Sequence, residues 1–166
     1  MVLEVAKIKL YMERAENEFR SAKTLFNISS RGEIKIKLGA NPRDTFYSSV
    51  ISHSYYAIFY AVKALLLTKN IETKAPAIHR KTFNTFKEKF VETRILNHGL
   101  LNIYQDMAIK ADELLNIFGR EKRKRGQFTY NIIAQANIKP ARDSLDNAKK
   151  FITTLTQLIE RKIKLL

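Results

Sequence analysis

The amino-acid sequence predicts an all-α protein, an up-and-down four-helix bundle with one additional short helix. Apolar residues recur at intervals of three and four along almost the whole chain, the spacing that places them on one face of a helix. The length of 166 residues suits a single domain over residues 1–166, and a chain of this size buries roughly 70% of its unfolded surface. A full hydrophobic core is therefore expected without disulfide bonds.

The first helix is expected over residues 4–28. Its apolar stripe is formed by Ile8, Met12, Ala15, Phe19, Ala22 and Phe26. The second helix, expected over residues 44–69, is apolar around most of its circumference, so it should pack against several neighbours or across an oligomer interface. Asn41 can cap the free N–H groups of its first turn, Pro42 suits that turn and Asp44 complements its dipole, which predicts a start close to these residues.

A shorter helix is expected over residues 76–92, directly after Pro76. It should bury three aromatic side chains, those of Phe83, Phe86 and Phe90. Two more apolar stripes follow, one from Leu100 to Phe118 and one from Leu145 to Ile159, and each predicts a long helix with one buried face. The chain thus has five predicted helices, four of them long enough for a bundle.

Two segments between these helices are predicted to be basic loops, at about 29–43 and about 119–137. In the first segment, residues 33–38 alternate polar with apolar side chains, which is typical of a short hairpin. Because no other strand is predicted that could pair with it, we expect a mobile basic loop there.

The charge balance is the clearest compositional feature. The chain has 30 Lys and Arg against 16 Asp and Glu, a net charge of +14. Such an excess attracts polyanions, and it favours a nucleic acid over an acidic protein as the partner. No apolar run reaches the roughly 20 residues that span a bilayer, so we expect a soluble cytoplasmic protein that does not bind membranes.

Several kinds of site are not predicted. Cysteine is absent, which excludes disulfide bonds and thiolate ligands. Acidic residues and histidines are not clustered as metal ligands would be, and the sequence has no phosphate-binding or dinucleotide-binding glycine motif. We therefore expect neither a metal ion nor a cofactor.

The most basic stretch of the chain has five cations among the six residues from 120 to 125. It comes at the end of the fourth predicted helix, where the helix dipole stabilises positive charge. The stretch is typical either of a solvated helix terminus or of a phosphate-binding site, since arginine donates two parallel hydrogen bonds to phosphate oxygens. The candidate nucleic-acid-binding residues are Arg120, Lys122, Arg123, Lys124 and Arg125.

Histidines and tyrosines are the other candidates for chemistry. His53 lies on the same face as Val50 and Ala57, where a hydrogen-bonded core or interface histidine is expected, and His79 is expected at the surface. Either imidazole is an auxiliary candidate for a general base. The aromatic residues of the second helix favour core or dimer packing over stacking on RNA bases; they are Tyr55, Tyr56, Phe59 and Tyr60.

The order of these motifs resembles that of the HEPN (higher eukaryotes and prokaryotes nucleotide-binding) superfamily. The step from Ser52 to Ala57, Ser-His-Ser-Tyr-Tyr-Ala, is similar to its second helix, and His79 with Phe83 and Phe86 resembles the H-x-x-x-F-like third helix. The stretch Arg125-Gly-Gln-Phe-Thr-Tyr130 is similar to an R-x-x-x-D-Y ending. The resemblance runs from residue 44 to the last helix and is to small stand-alone prokaryotic proteins associated with minimal nucleotidyltransferases.

The resemblance implies a homodimer and, in its ribonuclease branch, metal-independent RNA cleavage by an R-x(4-6)-H motif. Here the position five residues after Arg125 is Tyr130, and five residues after Arg123 comes Phe128. An ordinary tyrosine is only about 0.1% ionised at pH 7 and is a poor base. Arg125 and Tyr130 remain the candidate catalytic residues. Tyr130 also stands where related toxins carry a tyrosine that a nucleotidyltransferase modifies.

Two functions follow as hypotheses. The first is an RNA-binding HEPN protein of a toxin–antitoxin or defence module, with metal-independent endoribonuclease activity as its chemistry. The second is a non-catalytic helical module that binds a minimal nucleotidyltransferase or another acidic protein.

Overall fold

The computed structural model describes residues 2–123 and 138–164, and the side chains of residues 4–112 and 138–164. All regular structure in these residues is helical, which confirms the predicted class. The elements are α1 (Val2–Ser30), α2 (Gly32–Lys37), α3 (Tyr47–Leu67), α4 (Ile78–Phe86), a π-helical turn (Lys87–Val91), α5 (His98–Arg123) and α6 (Ile138–Ile163). The four long helices form the bundle, and α4 with its π-helical turn is the additional short helix.

Helix α3 lies at the centre of the bundle. It packs against α1, α6, α5 and α4, as expected of a helix that is apolar on most sides. By length and composition α3 could also cross a membrane, which the sequence analysis had excluded. Most of this helix is buried inside the protein, so its hydrophobicity is that of a core helix.

Aromatic rings join the short helix to the bundle. The ring centroid of Phe86 on α4 lies 5.9 Å from that of Tyr104 on α5 and 5.8 Å from that of Phe151 on α6. All three residues are fully buried, and aromatic pairs at these distances add to the energy of burial. Phe90 is fully buried too, whereas Phe83 is only partly buried and packs on Tyr104 at 5.2 Å.

The start of α3 differs from the prediction. Asn41 and Asp44 form a turn instead of a helix cap: the Asn41 side chain accepts a hydrogen bond from the Arg43 N–H at 2.8 Å, and the Asp44 carboxylate accepts one from the Asn41 N–H at 3.0 Å. Short polar side chains that bond to nearby backbone compete with helix formation. The helix therefore begins at Tyr47, later than predicted.

The first predicted basic loop is also different. Helix α1 extends to Ser30, and α2 occupies the residues whose alternation suggested a hairpin. Lys35 is buried and donates hydrogen bonds to the carbonyl oxygens of Pro42 and Asp44, while the Phe46 N–H donates to the Ser29 hydroxyl at 2.7 Å. Instead of the expected mobile loop, this segment forms a short helix that is hydrogen-bonded through Lys35 to the turn before α3, and the end of α1 is bonded to Phe46.

Residues 119–123 of the second predicted basic loop belong to α5 (His98–Arg123) instead. Residues 124–137 lie outside the described residues.

Candidate functional site

The predicted nucleic-acid-binding residues lie only in part within the described chain. Arg120, Lys122 and Arg123 belong to the last turn of α5. Lys124, Arg125 and the candidate catalytic Tyr130 lie outside the described residues. The structure therefore places the beginning of the basic run at the C-terminal end of a bundle helix, and it describes no side-chain geometry for the run.

His79 occupies the first turn of α4 and contacts α3. Its Nδ1 atom lies 2.9 Å from the hydroxyl oxygen of Tyr55, within hydrogen-bonding distance. The imidazole packs on Phe59, with 4.4 Å between ring centroids, and meets Tyr56 nearly edge-on at 5.9 Å. Although the residue as a whole is exposed, these contacts bury one side of its ring. Burial, and secondarily the charge of Lys63, lowers the pKa of His79 below its ordinary value.

The backbone before His79 is in an unfavourable conformation. Ala77 precedes α4 with a φ of 57°, in the left-handed region. This conformation costs a residue with a Cβ atom about 1–2 kcal/mol, because the Cβ approaches the following carbonyl oxygen. The surrounding structure must offset that cost, and the conformation sets the direction in which α4 presents its first turn.

Two tyrosines extend the polar contact of His79 into the core. Burial raises the pKa of Tyr55 to about 12, with smaller contributions from Tyr56 and the charge of Asp112 on α5. Tyr104 of α5 is fully buried and its ring centroid lies 6.3 Å from that of Tyr55. Burial raises its pKa well above the usual range as well. Within the described chain the Tyr104 hydroxyl has no hydrogen-bond partner. Both tyrosines therefore stay protonated at neutral pH.

Lys63 lies next to this group and is almost fully buried. Its ammonium nitrogen donates to the carbonyl oxygen of Thr73 at 3.3 Å and sits over the rings of Tyr11 at 4.8 Å and Phe59 at 5.9 Å. Aromatic faces attract cations, and the attraction is stronger away from water. The charge of Lys63 is thus held close to His79 inside the bundle.

His53 takes part in a different surface, between α1 and α3. Its Nδ1 atom lies 2.6 Å from the carboxylate of Glu18, and the imidazole is about one-third exposed. An open cleft of about 460 Å³ lies beside it and is lined by Leu10, Glu13, Arg14, Asn17, Glu18, Arg20 and Tyr60. We call this surface the α1/α3 cleft. The Arg14 guanidinium covers the Tyr60 ring at 5.7 Å.

The aromatic residues of α3 divide between the core and the surface. Tyr55 and Phe59 are buried, at 8% and 4% exposure, as core packing requires. Tyr56 is 36% exposed and Tyr60 is partly buried. Among the described residues, no three histidine, aspartate or glutamate side chains come together as a metal site.

Sequence reasoning did not single out Tyr104, Lys63 or Glu18. Tyr104 lies within an apolar stripe, where a tyrosine looks like any packing residue. Of the three, only Lys63 stands out in the sequence, because it is a lone cation in an apolar helix. Glu18 lies 35 residues from His53, so only the packing of two helices reveals the pair.

Comparison with known proteins shows which family the chain resembles. The HEPN domain model matches residues 39–162. The chain is 30% identical over 91 residues to a protein of Methanocaldococcus jannaschii named putative toxin, covering 55% of this chain and 49% of that protein. A second putative toxin of that organism is 32% identical over 88 residues, covering 52% of this chain and 54% of that protein.

A UPF0332 protein of Thermotoga maritima is 29% identical over 112 residues, covering 68% of this chain and 72% of that protein. The aligned part thus spans about half the length of the two putative toxins and more of the third relative. The family match includes α3, α4, α5 and most of α6, and it extends over well more than half of the sequence. The chain therefore belongs to the HEPN domain family.

Proposed function

We propose that this chain is a toxin-type HEPN protein that binds RNA through the basic run at the end of α5, within a toxin–antitoxin or defence module. The net charge of +14 supports a polyanionic partner. Two relatives that are named putative toxins support the toxin type. The chemistry that we propose is metal-independent cleavage of the bound RNA.

The observation that carries RNA binding is the basic run itself, five cations in the six residues from 120 to 125. The run begins in the last turn of α5. Backbone carbonyl groups at this end carry partial negative charge, so positive side chains are stabilised there. Arginine suits phosphate because its planar guanidinium donates two hydrogen bonds to one phosphate group. The described end of α5 thus contains Arg120, Lys122 and Arg123.

Fluorescence anisotropy with a labelled single-stranded RNA tests this proposal. Contact with four to six phosphates should give a slope of log affinity against log salt of roughly −3 to −4. Replacement of all five cations by glutamine should weaken binding and flatten that slope. The matched control removes five exposed cations on and just after α6: Lys139, Lys149, Lys150, Arg161 and Lys164. Equal losses in both variants would show that only overall charge matters and would overturn the proposed site.

Homodimerisation is part of the proposal, and the α1/α3 cleft supports it. The chain as a whole has a net charge of +14, but the cleft has Glu13 and Glu18 beside Arg14 and Arg20. A surface with both signs can pair with a copy of itself about a two-fold axis, as isologous interfaces require. Leu10 is 48% exposed at the cleft and provides apolar area for such a contact.

A second candidate function is a non-catalytic module that binds a minimal nucleotidyltransferase or another acidic protein. The observation that favours it is Tyr130 at the position of the motif histidine. Incubation of the pure protein with mixed RNA and EDTA separates the two functions. Products that end in cyclic phosphate support the toxin proposal, whereas intact RNA together with stable co-purification of a nucleotidyltransferase supports the partner module.

A further inference from the structure

His79 combines a fixed orientation with a nitrogen atom that is available to solvent. Its Nδ1 atom is engaged by the Tyr55 hydroxyl, and its ring is packed on Phe59. Within the described chain, the Nε2 atom has no protein partner, and the residue as a whole is exposed. A histidine whose one nitrogen is held while the other faces solvent has the arrangement that proton transfer requires.

Two features near His79 are energetically unfavourable, and packing alone does not explain them. A buried hydroxyl without a partner in the described chain, such as that of Tyr104, lowers stability, and a phenylalanine would fill the same space without that loss. The left-handed Ala77 adds strain immediately before α4. Unsatisfied polar groups and strained backbone often accompany functional sites. Tyr104 contacts Tyr55, the hydrogen-bond partner of His79, and Ala77 lies two residues before His79.

We propose that His79 is the general base of metal-independent RNA cleavage by this protein, taking the role of the imidazole that the R-x(4-6)-H motif lacks here. The inference rests on the proposed function, because it requires RNA to be bound. Tyr55 is the positioning residue: for Nε2 to act as the base, the Tyr55 oxygen must accept the hydrogen bond from Nδ1–H, because this tautomer leaves the lone pair of Nε2 free.

The chemical step is an intramolecular transesterification of the phosphodiester. Nε2 of His79 takes the proton of a ribose 2′-hydroxyl, and the 2′-oxygen forms a bond to the adjacent phosphorus. The bond from phosphorus to the 5′-oxygen of the next nucleotide breaks, and that oxygen takes up a proton from the imidazolium or from water. The products are a 2′,3′-cyclic phosphate and a 5′-hydroxyl end. No oxidant, metal or second substrate is needed.

The position of His79 relative to α5 fits an RNA bound at the basic run. Asp112 of α5 is near enough to Tyr55 for its charge to raise the pKa of that tyrosine. Arg123 ends α5 eleven residues after Asp112, about 16 Å along the axis at 1.5 Å a residue. A short single strand spans that separation. RNA phosphates at the end of α5 and a scissile phosphate near His79 are therefore compatible with one bound strand.

The ionisation of His79 is consistent with the role. Burial and the charge of Lys63 lower its pKa, so the ring is neutral and able to accept a proton at neutral pH. Among the described residues, Lys63 acts on the ring electrostatically and Tyr55 and Tyr56 contact it, all three on α3. On α5, Tyr104 contacts Tyr55, and the charge of Asp112 acts on Tyr55.

The experiment uses a labelled oligodeoxynucleotide that contains one ribonucleotide, with EDTA present, under single-turnover conditions. His79→Ala should lower the cleavage rate about 100-fold or more, while anisotropy gives nearly unchanged affinity. Added imidazole should restore part of that rate, an effect that a structural role would not produce. His98→Ala is the matched control, because His98 is exposed at the start of α5, and it should cleave like the unaltered protein.

Two more measurements protect the test from a folding artefact. His79→Gln keeps a polar side chain of similar size and should lose cleavage without losing its helical circular dichroism. Tyr55→Phe should slow cleavage and move the acid limb of the pH–rate profile to lower pH, since the imidazolium loses its hydrogen-bond acceptor. In the unaltered protein that limb should lie below the ordinary histidine pKa of about 6.5.

The outcomes separate the two proposals. Absence of RNA binding would overturn the proposed function. Binding without cleavage, or cleavage that survives His79→Ala and gains nothing from imidazole, would overturn the role of His79 and leave RNA binding in place.

Discussion

The ammonium nitrogen of Lys35 lies 2.8 Å from the carbonyl oxygen of Pro42, and it also donates to the carbonyl oxygen of Asp44 at 3.0 Å. Lys35 is only 6% exposed, although lysine is rarely so deeply buried without a partner. The two hydrogen bonds supply that partner. They join α2 to the turn before α3, so a residue that seems to be one more cation of a basic loop is a structural link.

Lys35→Met should therefore lower the free energy of unfolding by about 1–3 kcal/mol, because the carbonyl oxygens of Pro42 and Asp44 lose a charged donor. The measurement is urea denaturation. Lys37→Met is the control: it removes the same charge two residues away from an exposed position, and its effect should stay within about 0.5 kcal/mol. Equal effects of the two substitutions would contradict the structural role of Lys35.

Tyr104→Phe should stabilise the protein by about 1 kcal/mol, because it removes a buried hydroxyl without a hydrogen-bond partner in the described chain. Tyr55→Phe should have the opposite sign, a loss of about 1 kcal/mol, since its hydroxyl bonds to His79. Thermal or urea denaturation of both variants gives the comparison. Destabilisation by Tyr104→Phe would mean that this hydroxyl has a partner after all.

Stability should fall as the pH drops from about 7 to about 5, with His79 as one contributor. The pKa of His79 in the folded protein lies below its unfolded value, so the unfolded chain binds the proton more readily. The contribution is present above the unfolded pKa of about 6.5 and is lost as the pH falls towards the folded pKa. The urea midpoints measured at about pH 7 and about pH 5 should differ less for His79→Gln than for the unaltered protein. A difference that His79→Gln leaves unchanged would contradict this contribution.

Leu10→Asp should dissociate the proposed homodimer, because it places a charge in the apolar part of the α1/α3 cleft. Ile109→Asp is the matched control: Ile109 is 49% exposed and Leu10 is 48% exposed, but Ile109 lies on α5 away from the cleft lining. Sedimentation equilibrium gives the molecular mass of each variant. A monomeric unaltered protein, or a dimer that both substitutions leave intact, would contradict an interface at this surface.

The sequence was sufficient for the four long helices because each has its own apolar periodicity, a local property of the chain. The stripe beginning at Ile8 predicted α1, and α3 was expected to pack against several neighbours or across an oligomer interface because it is apolar on nearly all sides. Family membership could be predicted for the same reason, since the family's motifs are read along the chain. The candidate site was only partly predictable: His79 and His53 were named, but their partners were not.

Tertiary structure decided which residues meet. Periodicity could not distinguish Tyr55, which is buried, from its neighbour Tyr56, which is 36% exposed, because both lie on a helix that is apolar nearly all round. The contact of Tyr55 with His79 joins residues 24 positions apart, and it exists only because α4 packs across α3. The sequence by itself determined the helices, the charge and the family. The burial of Lys35 and the surroundings of His79 depend on packing between distant segments, which no local pattern encodes.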